Sequence, residues 1–240
     1  MRESAFVFAD KCCLDYGIHI EYFPERQAAE KKIETYEIPG RSGRVIFDNG
    51  EFENVSQTYE TWFKAPTDHN SYSAAREIAT WLMGTSGYQR LEDTYDPDVY
   101  RMAYFSGPVD VSTYFARYGR ATLEFNCRPQ RWLKSGENPV TVLDGDKLYN
   151  PGLRALPLIQ IRGSGSGTLN INDYTLSISS VPAGGMTIDC ETQDAYSGTI
   201  NRNSLVTVPG KFPALDPGES EISWTGGITG ITITPRWWML

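Results

Sequence analysis

Along most of this chain, apolar side chains recur at every second position, in short runs closed by Gly, Pro, Asn or Asp. A period of two belongs to strands with one face on a core. Leu123, Phe125 and Cys127 form one such face. Leu169 with Ile171 and Leu176 with Ile178 form two more, on either side of a turn at Asn172-Asp173. Met186, Ile188 and Cys190 repeat the pattern, as do Ile222 with Trp224 and Ile231 with Ile233. One stretch has helical spacing instead. Between Ser71 and Met83, the side chains of Ala74, Ala75, Ile78, Trp81 and Leu82 share a face. Ser71 or Ser73 can cap its start, and Gly84 stands at its stop. Such a chain folds as mainly β with one α-helix, and 12% aromatic residues with 22 Gly and 14 Pro suit strands joined by tight turns.

Local signals place further elements. Residues 14–23 read as a strand. Residues 27–32 favour helix by propensity but are short and polar. Pro39-Gly40-Arg41-Ser42-Gly43 is a turn. Asp48-Asn49-Gly50, between apolar runs, predicts a hairpin turn. Strands at residues 88–91 and 99–105 flank an acidic turn at 92–98. Gly163-Ser164-Gly165-Ser166-Gly167 reads as a hairpin loop, because the strand that follows it excludes a phosphate loop. The polar segment 135–139 is the best boundary, giving domains 1–134 and 135–240, the second a β-sandwich or barrel.

Charge and composition narrow the function. A net charge of −8 without a basic stripe argues against a nucleic-acid binder and against docking on anionic lipid. No apolar run reaches the length of a membrane span, and the start does not read as a secretory signal, so synthesis in a cytoplasm is expected. Cys12, Cys13, Cys127 and Cys190 are expected to be reduced. Nucleophilic catalysis wants a base, and the chain has only His19 and His69, with no Gly-x-Ser-x-Gly elbow. Adjacent Cys12-Cys13 is not a Cys-x-x-Cys pair, and no zinc spacing follows. The acidic groups Glu92, Asp93, Asp96 and Asp98, and Asp144 with Asp146, read as solvated turns rather than paired glycosidase carboxylates. No catalytic, cofactor or metal site is expected. Trp237 and Trp238 allow two readings: exposed platforms that stack on sugars, or indoles that close a sandwich core with Arg236 resting on an aromatic face. The arginines at 41, 44, 90, 101, 117, 120, 128 and 131 read mostly as solvated, with some free to meet acidic patches on neighbours.

Several motifs, in order, resemble one family, the distal tail proteins of long-tailed phages. They are Pro39-Gly40-Arg41-Ser42-Gly43, Ile78-Ala79-Thr80-Trp81-Leu82, the run Tyr88 to Ala103 with its Asp96-Pro97 turn, and Phe125-Asn126-Cys127-Arg128-Pro129. Asn150-Pro151-Gly152, Pro157 to Gly163, Ile188-Asp189-Cys190-Glu191-Thr192, Phe212 to Gly218 and Pro235-Arg236-Trp237-Trp238 continue the resemblance to the end. The chain departs from the family at Cys12-Cys13, and at Glu219-Ser220-Glu221, where the family pattern has an Asn and only a turn is expected to change. The resemblance implies a tail-tube-like β-barrel or split barrel with one helix, then a galectin-like β-sandwich. It implies a non-enzymatic virion protein at the tail tip, forming a hexameric ring that passes DNA. Its partners would be its own copies, the tail tube protein, a tail-tip protein and receptor-binding proteins. The alternative is a carbohydrate-binding module for host adhesion, acting through Trp237 and Trp238.

Overall fold

The period-two segments pair into antiparallel sheets in the computed structural model, which describes residues 4–66, 70–109, 111–115 and 117–240. His69 lies outside the described residues. The chain separates into two units, Met1–Arg131 together with Leu240, and Trp132–Met239.

In the first unit the elements are β1 (Phe6–Phe8), β2 (Lys11–Cys12), β3 (Ile18–Ile20), β4 (Lys31–Glu37), β5 (Arg44–Phe52), β6 (Val55–Lys64), α1 (Ser71–Met83), β7 (Gln89–Asp93), β8 (Val99–Phe105), β9 (Val111–Phe115) and β10 (Tyr118–Cys127). They build a curled sheet in the order β2-β1-β7-β8-β10-β6-β3, with β9 alongside β10. Its spine is the pairing of β6 with β10 along their whole lengths, from Val55 opposite Cys127 to Lys64 opposite Tyr118. Alternation sends Val55, Tyr59 and Phe63 of β6, and Leu123, Phe125 and Cys127 of β10, to one buried face. Helix α1 covers that core with Ala74, Ile78, Trp81 and Leu82, all buried, while Ala75 is only half-buried. Trp81 anchors it. Its ring stacks on Tyr16 at 4.4 Å and on Phe6 at 5.9 Å, and its indole N–H donates to the Phe8 carbonyl at 3.2 Å.

The start of the helix differs from the sequence reading, and its end agrees with it. Asn70, not a serine, is the N-cap: its extended backbone lets the side-chain oxygen accept the Ser73 amide at 2.9 Å, and Ser73 Oγ accepts the Asn70 amide at 3.2 Å. Gly84 is the stop the sequence places there, closing the last turn on the Thr80 carbonyl in a right-handed conformation.

β11 (Arg131–Leu133) leads to the second unit, which contains β12 (Val140–Val142), β13 (Lys147–Asn150), β14 (Leu158–Ile171), β15 (Tyr174–Val181), β16 (Met186–Asp189), β17 (Asp194–Ser197), β18 (Ile200–Asn201), β19 (Val206–Thr207), β20 (Gly218–Thr234) and β21 (Trp238–Met239). Two long strands organise it. At one end Leu158–Arg162 of β14 pairs with Gly230–Thr234 of β20, and there β16 and β12 flank them. At the other end Gly167–Ile171 pairs with Ile222–Gly226, flanked by β15 and β13. Ile159, Ile161, Leu169, Ile171, Ile222, Ile231 and Ile233 from these two strands are all buried in the core.

Three expectations fail here for one reason: pairing with another strand overrides a local turn signal. Residues 163–167 are not a hairpin loop but the bulged middle of β14. Its glycines let two backbones touch, since a Cβ on Gly163 would lie 2.1 Å from the Gly227 carbonyl and one on Gly227 1.6 Å from that of Ser164. Asp48-Asn49-Gly50 is not a hairpin turn but a bulge within β5. Gly50 takes φ +73° there, its amide donates to Asp48 Oδ1 at 2.9 Å, and Lys31–Glu37 supplies the partner strand. Residues 219–221 lie not in a turn but in β20, opposite Lys147–Tyr149. The helical propensity of residues 27–32 also loses, because Lys31 and Lys32 open β4.

Candidate assembly surface

Among the described residues β4 and β5 pair only with each other, and the hairpin joins neither larger sheet. Opposed residues share a face. Thr35 faces Ile46 and Ile33 faces Asp48, which sets Ile33 and Ile46 on one face; Tyr36 opposite Val45 and Glu34 opposite Phe47 form the other. Large apolar groups therefore stand on both faces, and Ile33, Tyr36, Ile38, Ile46 and Phe47 are 45–63% exposed. The tip is the turn of Pro39-Gly40-Arg41-Ser42-Gly43, closed by the Arg41 amide on the Ile38 carbonyl at 3.1 Å.

A lone two-stranded hairpin is marginal in water. Ion pairs brace this one across the strands. Lys31 pairs with Asp48, Lys32 with Glu51 at 3.6 Å, and Arg44 with Glu37 at 2.8 Å. Hydrogen bonds from Lys31 and from the Gly50 amide hold the Asp48 carboxyl below the usual carboxylate range. Tyr36 meets Phe47 edge-on at 5.5 Å. Exposed pairs of this kind set geometry more than they stabilise. An arm that is apolar on both faces, held in shape by charges along its length, is built to lie against other protein.

The residues singled out from the sequence take varied places in the fold. Trp237 is buried at 8% exposure in the second core, and Trp238 is half-buried with its indole N–H on the Arg154 carbonyl at 2.8 Å. Arg236 does not rest on an aromatic face. Its guanidinium grips both Asp189 oxygens at 2.7 and 2.9 Å. Burial alone would raise the Asp189 carboxyl, but Arg236 and the Glu191 and Thr192 amides outweigh it, so the group sits below its ordinary range. His19 stacks on Trp62 at 4.2 Å. The four cysteines are free thiols. Burial pushes Cys13 and Cys190 up to about 12 and Cys127 up to about 11, far from the range of a reactive thiolate. The acidic turns are held by their own carboxylates. Asp93 accepts the Tyr95 and Asp96 amides, Asp144 the Trp224 amide and Asp146 the Leu143 amide. Several arginines are less solvated than expected, with Arg90 over the Tyr100 ring at 3.8 Å, Arg128 over Tyr88 at 4.6 Å and Arg117 on the Ala65 carbonyl at 2.8 Å.

The arm itself escapes a sequence reading that treats each run as one-sided. Its signal is Val45-Ile46-Phe47, three adjacent apolar residues in a strand that no core buries on both sides.

Comparison with known proteins gives the geometry a context. Residues 14–127 match the model of the phage tail protein RIFT-related domain. The crystal structure of the Dit protein of SPP1, described as a paradigm of the hub adsorption apparatus in phages infecting Gram-positive hosts, superposes with a TM-score of 0.73 at 14% identity, over 100% of both chains. Two structures of the phage p2 baseplate in its activated conformation, with calcium and with strontium, match at a TM-score of 0.51 with 10% and 9% identity, over 97% of this chain and 98% of theirs. No curated protein matches the chain in sequence.

Proposed function

We propose that the chain, whose residues 14–127 match a phage tail protein domain and whose fold is similar along its whole length to that of the SPP1 Dit protein, is a structural ring subunit of the tail tip. In this reading, copies made in the host cytoplasm close into a hexamer, and the ring joins the tail tube to the tail-tip and receptor-binding proteins. DNA passes through its centre, past a subunit whose net charge of −8 repels rather than grips it. The second unit is a galectin-like sandwich that faces the other tail components. The subunit is not an enzyme.

The observation that carries this reading is the β4–β5 arm. A ring interface is heterologous, so each subunit needs a surface that projects and a different surface that receives it. The arm supplies the first. Its five large apolar side chains are about half exposed, and covering the remainder is worth about 1 kcal/mol each, or roughly 5 kcal/mol per interface. Association costs about 4–15 kcal/mol in lost freedom, so one such contact is weak alone. A closed ring, in which each subunit is held twice, turns weak contacts into a stable assembly. The burial of Trp237 leaves a glycan-binding reading with Trp238 alone, and nothing else in the second unit favours it.

The test is light scattering over a protein concentration series, with negative-stain images, on the wild-type chain and on a variant with residues 32–51 replaced by a short Gly-Ser turn. We expect concentration-dependent rings from the wild type and a folded monomer from the variant. Assembly unchanged by loss of the arm would refute the role given to it. A wild-type chain that stays monomeric, alone and mixed with tail-tube and tail-tip proteins, would sink the ring reading.

A further inference from the structure

At one end of the first unit's sheet, polar side chains take positions where the strand period calls for apolar ones. Arg101 shares the β8 face of Val99, Ala103 and Phe105, Gln57 the β6 face of Val55 and Tyr59, and Asp93 the β7 face of Leu91. With Arg26 and Arg131 they line a pocket of about 30 Å³.

Glu92 and Asp96 line it too, so three arginines meet three carboxylates and the charges balance in number, but not contact by contact. Asp93 is already committed, accepting the Tyr59 hydroxyl at 2.9 Å and the Tyr95 and Asp96 amides at 2.9 and 3.0 Å. Asp96 pairs with Arg26 at 3.3 Å. Arg131 donates to the Gln27 carbonyl at 2.9 Å, and among the described residues neither it nor Arg101 has a carboxylate oxygen within 4 Å. Burial, then the nearby Arg101 and Arg26, weaken the hold of Arg131 on its proton, and the attraction of Asp96 and Asp93 offsets this only in part. Gln57 is only 4% exposed, and its amide makes one contact, to the Thr58 carbonyl at 3.5 Å, at the edge of hydrogen-bond range. Arg101 and Arg131 are only half-buried, but a buried amide such as that of Gln57 is ordinarily well bonded.

We propose that this pocket is a carboxylate-binding site, in which Arg101 and Arg131 hold the two oxygens and the Gln57 amide donates to one of them. The guanidinium fork matches a planar carboxylate in shape and charge. The volume of about 30 Å³ admits roughly two to three water-sized groups, which suits the three heavy atoms of a carboxylate and is small for a phosphate. The group has two sources: an Asp or Glu of an adjoining polypeptide, or a free small carboxylic acid. An acidic chain with 30 Asp and Glu against 22 Lys and Arg offers many such groups in a second copy. The site stands on different residues from the arm and is tested separately.

The experiment is thermal unfolding of the full chain at neutral pH in sodium acetate against sodium chloride, at equal ionic strength, for the wild type, Arg101→Gln, Arg131→Gln and Arg131→Lys. We expect a saturable rise of several degrees in acetate for the wild type, none in either Gln variant, and part of it in Arg131→Lys. In chloride alone the Gln variants should unfold no earlier than the wild type, because repulsion is relieved; a purely structural role for these arginines predicts earlier unfolding. Saturation transfer from wild-type protein to acetate reads binding without any variant. No transfer, an equal acetate response in the Gln variants, or stronger stabilisation by phosphate would overturn the assignment. The source is then read by size fraction. A response in monomer but not in assembled protein identifies a neighbour's side chain, and an equal response in both identifies a free acid.

Discussion

The Arg236–Asp189 pair ties the end of the chain to the second unit's sheet, and its loss should be measurable. The side chains are 26% and 14% exposed and joined by two charge-assisted bonds of 2.7 and 2.9 Å. Breaking a fully buried pair costs about 3–5 kcal/mol. Here Arg236 keeps some contact with water, and Asp189 keeps the Glu191 amide, so we expect about 2–3 kcal/mol for Arg236→Met. For a unit of this size each kcal/mol moves Tm by roughly 4 °C, so scanning calorimetry should show its transition fall by about 8–12 °C. Asp189→Asn should cost a similar amount, and the double variant little more than either single one. The pH dependence has a defined sign. The Asp189 carboxyl is depressed in the folded protein, so its contribution is complete above the unfolded value of about 3.9 and is lost as pH falls through the lower folded value. Wild type and Arg236→Met should therefore converge in acid. Strictly additive single-variant losses, or a gap that persists at the acid end, would refute the reasoning.

Three further outcomes follow from the packing. Trp81→Ala should cost about 3–5 kcal/mol in urea unfolding of the first unit, since it removes a side chain that is 5% exposed and stacked on two rings, while Trp81→Phe should lose much less. Gly227→Ala should destabilise the second unit by well over 1 kcal/mol, seen as reduced soluble yield and an early calorimetric transition, because its Cβ would sit 1.6 Å from the Ser164 carbonyl; Gly210→Ala, with nothing within 4 Å, serves as the control. Iodoacetamide at mildly alkaline pH should modify only Cys12 in the native protein and all four cysteines in denaturant, as read by mass spectrometry, because the other three thiols are buried and held protonated.

Where sequence and structure agree, the physics is one of period. The helix at Ser71–Met83 and the faces of Leu123, Phe125 and Cys127, and of Met186, Ile188 and Cys190, depend on whether side chains repeat at every 3.6 or every 2 positions, a property that each segment carries alone. Where they part, the deciding partner lies outside the segment itself. Asn49-Gly50 and the glycines at 163–167 have the composition of turns, and only β4 in one case and Gly226-Gly227 in the other make them bulges within strands. The arginine pocket was half legible. Arg101 interrupts the inward period of Val99, Ala103 and Phe105, which marks it as exceptional, but nothing in the spacing places Arg131 or Gln57 beside it.

The arm explains why folding and assembly should be separable in this protein. Each unit closes a core of its own, about Phe6, Tyr59, Phe125 and Trp81 in one and about Ile159, Leu169, Ile222 and Ile233 in the other. No residue of the β4–β5 arm belongs to either core. Its exposed apolar surface, worth about 5 kcal/mol when covered, is too small to drive folding yet large enough to weigh on whether weakly associating neighbours stay together. Substitutions at Ile33, Ile46 or Phe47 to Ser should therefore leave the thermal unfolding of the monomer almost unchanged and shift the concentration at which it assembles, whereas core substitutions should do the reverse. A chain built this way can fold first and meet its neighbours afterwards.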